Sequence, residues 1–438
     1  MSWDFETEPD FQAQLDWIDG FVRDEVEPID HLIAHGFDMA DPARQRLIPP
    51  LQRQVQERGL WACHLGPALG GPGYGQVKLA LMNEILGRSR WGPIVFGCHA
   101  PDSGNAEILA HYGTPELKAR YLEPLLRNDI VSAFSMTEPA GGSDPTGFVT
   151  SAVMVKGDGE AGGEWVINGE KWFSSHARFA AFLIVLAVTE PDAPPHRRMS
   201  MFVVPARTPG VEIIRNVGMY GHSGEGTHAY MRYADVRIPA DHLLGGRGEG
   251  FAVAQTRLGG GRIHHAMRTV GLVRKAFDAM CERALSRRTK GEELARKQLV
   301  QQMIADSWIQ MEQFRLLVLR TAWKIDRCND YRQVRADISA VKAAMPQVLH
   351  DVAARALQIH GSLGASQEMP FGAMVMESFH MGLADGATEV HKIALAREVL
   401  KGYKATSGLF PATHLPLLAA QARARYQDVL AELHSEEV

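Results

Sequence analysis

Apolar residues in the first quarter of the chain recur every three or four positions. Phe11, Leu15, Ile18, Val22 and Val26 stripe one face of a helix. Pro28 ends or kinks that pattern, since its ring removes a donor that a helix interior needs. The same spacing predicts helices over 47–60, 77–87 and 106–112. Thr114 before Pro115 has the form of an N-cap with proline at the first helical position, opening a helix to residue 127. The glycine-rich run 66–76 reads as a connecting loop, because no strand precedes it as a phosphate-cradling fingerprint requires.

The pattern changes near residue 130. Short β-favouring runs alternate with turn residues over 130–134, 151–155, 164–167, 182–188, 200–204, 211–214 and 229–238. Asn168-Gly169 predicts a tight hairpin turn. Short strands without intervening helices predict an antiparallel barrel or sandwich. Long amphipathic helices return over 251–287, 292–328, 333–360 and 388–404, and predict a bundle. The tail is first interrupted by Pro and Gly, then amphipathic. The expected fold is mainly α with a β domain: an N-terminal helical domain (1–130), a middle antiparallel β-barrel (131–247), a C-terminal four-helix bundle (248–405) and an extension (406–438).

Composition narrows the function classes. Net charge is −5, which argues against nucleic acid or an anionic membrane as partner. Cys63, Cys98, Cys281 and Cys328 form neither a CxxC pair nor a zinc-ligand spacing, so no metal site is expected. The acidic N-terminus lacks the basic-then-apolar order of a signal peptide, and no apolar run approaches the ~20 residues of a membrane span. A soluble, cytoplasmic protein without membrane insertion is expected.

Four stretches offer chemistry. Residues 134–144 (FSMTEPAGGSD) end a strand in small and hydroxyl residues, which present backbone N–H groups and Oγ atoms to a polar cofactor, or simply make a domain-junction loop. Residues 168–175 (NGEKWFSS) place aromatics beside hydroxyls, either a wall and a hydrogen bond for a flat ring or an ordinary barrel strand. Arg287 before Lys290-Gly291 suits a pyrophosphate or a helix C-cap. Asp385 before Gly386 suits a base or a turn.

In order and spacing the four stretches resemble the acyl-CoA dehydrogenase family of flavoproteins, over residues ~10 to 405. The resemblance is strongest to the family-member-11-like branch, on CHAPDSGNAEILAHYGT (98–114), RLGGGRIHHAMRTVGL (257–272) and LADGATEVH (383–391). It implies the three-part fold read above and an FAD cofactor. By that match Phe134, Met136, Thr137, Gly142 and Ser143 lie along the flavin, Ser143 also near the CoA side. Phe173, Ser174 and Ser175 stand where the family usually has a Trp-Ile-Thr-like trio against the ring. Arg287, Gln298, Gln358, Gly361 and Ser362 match the segments that reach the FAD of a neighbouring subunit, and Glu389 joins the cofactor set. A homodimer or homotetramer is implied.

The resemblance also implies the chemistry. The family base is usually Glu, fifteen residues after a Pro; here Pro370 plus fifteen is Asp385. Some members carry the base just before an arginine matching Arg262, where this chain has Gly259-Gly260-Gly261. Arg262 and Gly386 are then expected at the substrate, or Arg262 orders that loop. One of the adjacent His264 and His265 is expected to line the pocket, since neighbours on a helix face different ways. The implied reaction is α,β-dehydrogenation of an acyl-CoA to the trans-2-enoyl-CoA. Asp385 takes the α-proton and the β-hydride passes to flavin N5, with an electron-transfer flavoprotein or similar acceptor downstream. A dry apolar site is expected to raise the pKa of Asp385. The shorter base points to hydroxylated or branched acyl groups. Two other readings share the fold: a nitroalkane-oxidase-like flavoenzyme, and an inactive flavoprotein or binding protein.

Overall fold

The computed structural model describes residues 5–33, 36–155, 162–219 and 226–436. The first helix, α1 (Pro9–Phe21), buries Phe11, Leu15, Ile18 and Phe21. Its stripe continues through a π-turn at Val22–Val26, so Pro28 opens a short 3-10 turn rather than ending the pattern. Helix α2 (Pro42–Glu57) starts earlier than the spacing predicts. Asp41 caps it by accepting the Ala43 and Arg44 N–H groups, and prolines at Pro49 and Pro50 lie inside it. Helices α3 (Gly75–Leu86) and α4 (Asp102–Tyr112) follow.

Eight strands make one sheet: β1 (Ser132–Ser135), β2 (Ser151–Val155), β3 (Glu164–Ser175), β4 (Phe182–Val188), β5 (Met199–Pro205), β6 (Val211–Val217), β7 (His228–Pro239) and β8 (Leu243–Leu244). Their order is β6-β7-β3-β2-β4-β5-β8, with β1 also on β4. Most pairs are antiparallel, but β1 runs parallel to β4, from Ser132 opposite Phe182 to Ser135 opposite Val185. Every residue of β4 is buried. Phe182, Ile184 and Leu186 pack with α4 side chains, while Leu183, Val185 and Ala187 face Trp165, Phe202 and Tyr233. A strand covered on both faces needs the unbroken apolar run FLIVLAV.

Asn168-Gly169 is not a hairpin turn. It lies inside β3, at a bulge between Ile167 and Gly169 in the pairing with β7. Gly169 is needed there: its φ is +146°, and a Cβ would fall 2.6 Å from Thr150 Oγ1. A second irregularity between Lys171 and Ser174 turns Phe173 to φ +56°.

The C-terminal half holds α5 (Gly250–Ser286), α6 (Gln298–Cys328), α7 (Arg335–His360), α8 (Phe371–Leu383) and α9 (Thr388–Leu400). Helix α8 replaces an expected connection. Residues 292 and 293 belong to a two-stranded ribbon with 288 and 289, so the second long helix starts at Gln298. Helices α5, α6 and α7 pack on one another, α5 and α6 also pack on α3, and α8 and α9 both pack on α7. One apolar core therefore joins the N-terminal helices to the bundle. The extension forms α10 (Leu415–Arg425) and α11 (Gln427–Glu436), both exposed; residues 437 and 438 lie outside the described residues. Among the described residues no helix is long and apolar enough to cross a membrane.

Candidate active site

Helix α8 ends at Leu383 and the chain then turns sharply. Asp385 has φ +55° and Gly386 φ +108°. Asp tolerates the left-handed region better than most residues. At Gly386 a Cβ would lie 2.9 Å from His391 Nε2, so glycine is required twice over. The turn is clamped. Arg262 Nε donates to the Asp385 carbonyl at 3.0 Å, and His391 Nε2 lies 3.3 Å from the same oxygen. The buried Lys342 ammonium donates to the Met381 carbonyl at the end of α8. Arg262 thus ties α5 to the turn that carries Asp385.

The Asp385 carboxylate opens on a small cavity of about 30 Å³. Oδ2 lies 3.5 Å from His265 Nε2, and Oδ1 3.8 Å from the Arg257 guanidinium. The rest of the lining includes His64, Ser103, Glu107, His264 and Arg268. Both adjacent histidines line it, contrary to expectation. Arg257, Gly261 and His265 recur at four-residue spacing and share one face of α5. That polar face within an apolar helix was the signal for Arg257. Gly261 keeps the carboxylate clear, since a Cβ there would sit 2.9 Å from Asp385 Oδ2. Gly261→Ala is expected to displace the carboxylate by a fraction of an ångström and slow turnover by ~10- to 100-fold. A kcat equal to that of wild type in a folded variant would contradict this.

The expectation of a raised Asp385 pKa is overturned. Burial pushes it up, but the imidazole of His265, then the cations Arg257, Arg262 and Lys342, hold it below the ordinary carboxylate range. Burial in turn drives the His265 imidazole down to about 3, against the pull of Asp385. Glu107 behaves oppositely. Burial raises it to about 7 against the pull of Arg257. The folded chain therefore keeps a proton between about 4.5 and about 7 that the unfolded chain has released, and this residue's contribution to stability falls as pH rises through that window. Glu107→Gln removes the effect. Thermal midpoints are expected to show the variant gaining on wild type between pH 5 and pH 8; a constant difference would contradict it.

Arg257 ties the base to the first β strand. Its guanidinium lies 4.0 Å from the Phe134 ring centre, and Nε donates to Asn105 Oδ1 at 3.0 Å. Asn105 donates to Ser132 Oγ, whose N–H donates in turn to Asp102. Beyond Phe134 the chain is stitched to β3. Trp172 N–H donates to Thr137 O at 2.8 Å, and Lys171 Nζ donates to Met136 O at 2.8 Å and Glu138 Oε1 at 2.9 Å. Met136, Thr137, Phe173 and Ser175 are half-buried, while Gly142 and Ser143 are exposed in the following turn. Ser174 is different: it is fully buried and its hydroxyl lies 2.8 Å from Ser135 Oγ, which accepts the Tyr233 hydroxyl. Its side chain is held inside the β domain, where the expected trio had placed it against the ring.

The other expected cofactor residues are elsewhere. Arg287 ends α5, Gln298 opens α6, and Gln358, Gly361 and Ser362 end α7, all exposed at one end of the bundle. Glu389, in the first turn of α9, is also exposed. No hydrogen bond or ion pair among the described residues joins this set to the Met136–Ser175 set. The residues present nevertheless fit a flavin. A Cβ at Gly141 would meet nothing within 4 Å, and the Ser175 hydroxyl and the Phe173 ring both contact His228, which meets His380 of α8.

Family models described as acyl-CoA dehydrogenase N-terminal, middle and C-terminal domains match residues 8–129, 133–236 and 248–400. The chain is 38% identical over 400 residues to acyl-CoA dehydrogenase family member 11 of Mus musculus, covering 89% of this chain and 50% of that protein. It is 38% identical over 406 residues to the Mycobacterium tuberculosis protein named probable acyl-CoA dehydrogenase FadE2, covering 92% and 94%. The chain thus spans about half the length of the family-member-11 relatives. A solved structure from Mycobacterium abscessus assigned to the acyl-CoA dehydrogenases superposes with TM-score 0.82 at 37% identity, covering 91% of this chain and 100% of that one.

Proposed function

Because the chain belongs to the acyl-CoA dehydrogenase family, we propose that it catalyses FAD-dependent α,β-dehydrogenation of an acyl-CoA to the trans-2-enoyl-CoA, with Asp385 as the base. One observation carries this reading: the Asp385 carboxylate opens on the cavity with its own carbonyl held from α5 and α9, and the end of α8 before it held from α7. The surrounding cations keep the carboxylate ionised at neutral pH, ready to accept the α-proton. Entry of the acyl group displaces water and strengthens the burial effect, which raises its basicity in the complex. The Asp385 N–H is assigned to the thioester oxygen, where negative charge grows as the proton leaves. Gly386 next to it gives the thioester room, and Ser143 lies toward the CoA side.

Bound FAD would supply the acceptor for the β-hydride at N5. Phe134, Met136, Thr137, Gly142, Ser143, Phe173 and Ser175 of one chain would hold it. Arg287, Gln298, Gln358, Gly361, Ser362 and Glu389 would come from a second copy, which makes the protein a homodimer or homotetramer. An electron-transfer flavoprotein or similar acceptor would reoxidise it.

The cavity lining points to a hydroxylated acyl group over a plain chain. Both ring nitrogens of His64 are buried without a hydrogen-bond partner, and Glu107 stands beside them in the same lining. An alkyl tail would leave such groups unmet, at a cost of about 1–3 kcal/mol each. The test is anaerobic bleaching of the bound flavin with a panel of acyl-CoAs. Best turnover on plain straight chains would remove the substrate reading. Bleaching by nitroalkanes and by no thioester would remove the reaction.

A further inference from the structure

Ser175 and His228 face each other across β3 and β7, one residue pair in register. Ser175 Oγ lies 2.8 Å from His228 Nδ1. The Phe173 ring, held at φ +56° by the bulge, stacks on the same imidazole at 4.7 Å and 17°. On its other side His228 meets the edge of His380, 5.8 Å away on α8, the helix that ends at the base turn. His228 is thus buried at the junction of sheet and bundle, fixed by a hydroxyl, a stacked ring and a second imidazole. Nothing in the proposed proton abstraction uses it.

We propose that His228 is a positioning residue for the flavin site: it holds the Ser175 hydroxyl and sets which hydrogen-bonding face that hydroxyl presents to the polar edge of the ring. The inference rests on the FAD reading above and on Ser175 lying beside the ring. A neutral imidazole offers two states. With the proton on Nδ1 it donates to Ser175 Oγ, leaving the hydroxyl hydrogen free to donate outward. With Nδ1 bare it accepts that hydrogen, leaving an oxygen lone pair to accept from outside. The flavin edge asks for both, since its N5 accepts a hydrogen bond when oxidised and donates one when reduced. Burial, with His380 adding, pushes the His228 pKa down to about 4, so the ring stays neutral near pH 7 and keeps both options. A serine without such a partner would satisfy one redox state less well than the other. The relative affinity for oxidised and reduced flavin, and hence its potential, should depend on His228.

The experiment uses the FAD-loaded oligomer and measures the midpoint potential of the bound flavin by dye equilibration. His228→Phe and Ser175→Ala are each expected to shift it, by at least tenfold in the affinity ratio, which is about 30 mV for a two-electron couple. The double variant should shift it no further than Ser175→Ala alone, because His228 acts only through that hydroxyl. His228→Asn, whose side-chain amide also donates or accepts, should stay near wild type and show that the site still folds. An unshifted potential in His228→Phe, or shifts that add in the double variant, would overturn the assignment. If wild type binds FAD and is bleached by an acyl-CoA while His228→Phe keeps its potential, only this inference fails. If wild type takes up no FAD, the functional reading fails and this one falls with it.

Discussion

Asp385→Asn is expected to lower the rate of flavin reduction by acyl-CoA by about 10²–10⁴-fold, the usual contribution of a positioned general base. The amide is nearly isosteric with the carboxylate, so the clamps on the backbone carbonyl from Arg262 and His391 remain. Folding, FAD content and acyl-CoA affinity should therefore stay close to wild type. Removing the negative charge also takes from Arg257 and Arg262 the strongest attraction on either guanidinium group. Rapid mixing under anaerobic conditions separates the effects: the rate of bleaching should fall while its saturation concentration changes little. A variant that bleaches as fast as wild type would remove Asp385 as base. Glu107 is then the other carboxyl lining the cavity to examine.

The second large effect is on stability. Lys171 is wholly buried and its ammonium meets Glu138, itself buried, at 2.9 Å. Glu138 also accepts the Val149 and Thr150 N–H groups. Lys171→Met leaves that carboxylate buried without its cation and takes the donor from Met136 O. Breaking one side of a buried pair costs about 3–5 kcal/mol, so chemical denaturation should show a loss of that size. FAD affinity should fall with it, because Met136 and Thr137 lose their anchor to β3. Adding Glu138→Gln is expected to recover part of the loss, since the uncharged amide no longer needs the ammonium. A single variant as stable as wild type would show that the pair has no net role.

The three-part order of the chain was legible because each part declares itself over short range. Helical spacing from Phe11 to Val26, the unbroken apolar β4, and the long stripes after residue 250 depend only on neighbours within a few residues. Errors fell where long-range pairing overrides a local signal. Asn-Gly is a strong turn signal, yet β7 pairs with β3 on both sides of Gly169 and absorbs it as a bulge. Residues 371–383 carry apolar side chains with weak polar contrast, so α8 emerges only once it packs on α7.

Asp385 was singled out by the resemblance, which implies a base fifteen residues after Pro370; the residues alone left it a base or a turn. Neither showed the character of its surroundings. Arg257, Arg262 and Lys342 lie 43 to 128 residues before it in sequence and meet it only because α5, α7 and α8 pack together. Their charges, with that of His265, lower its pKa against the effect of burial, the reverse of what a dry apolar site would do. The inward turn of Ser174, the pairing of Ser175 with His228, and the orphaned nitrogens of His64 likewise depend on bulge geometry and packing. Local periodicity and intervals are written in the order of residues. Electrostatic environment and side-chain direction are sums over neighbours that only the folded chain brings within a few ångströms.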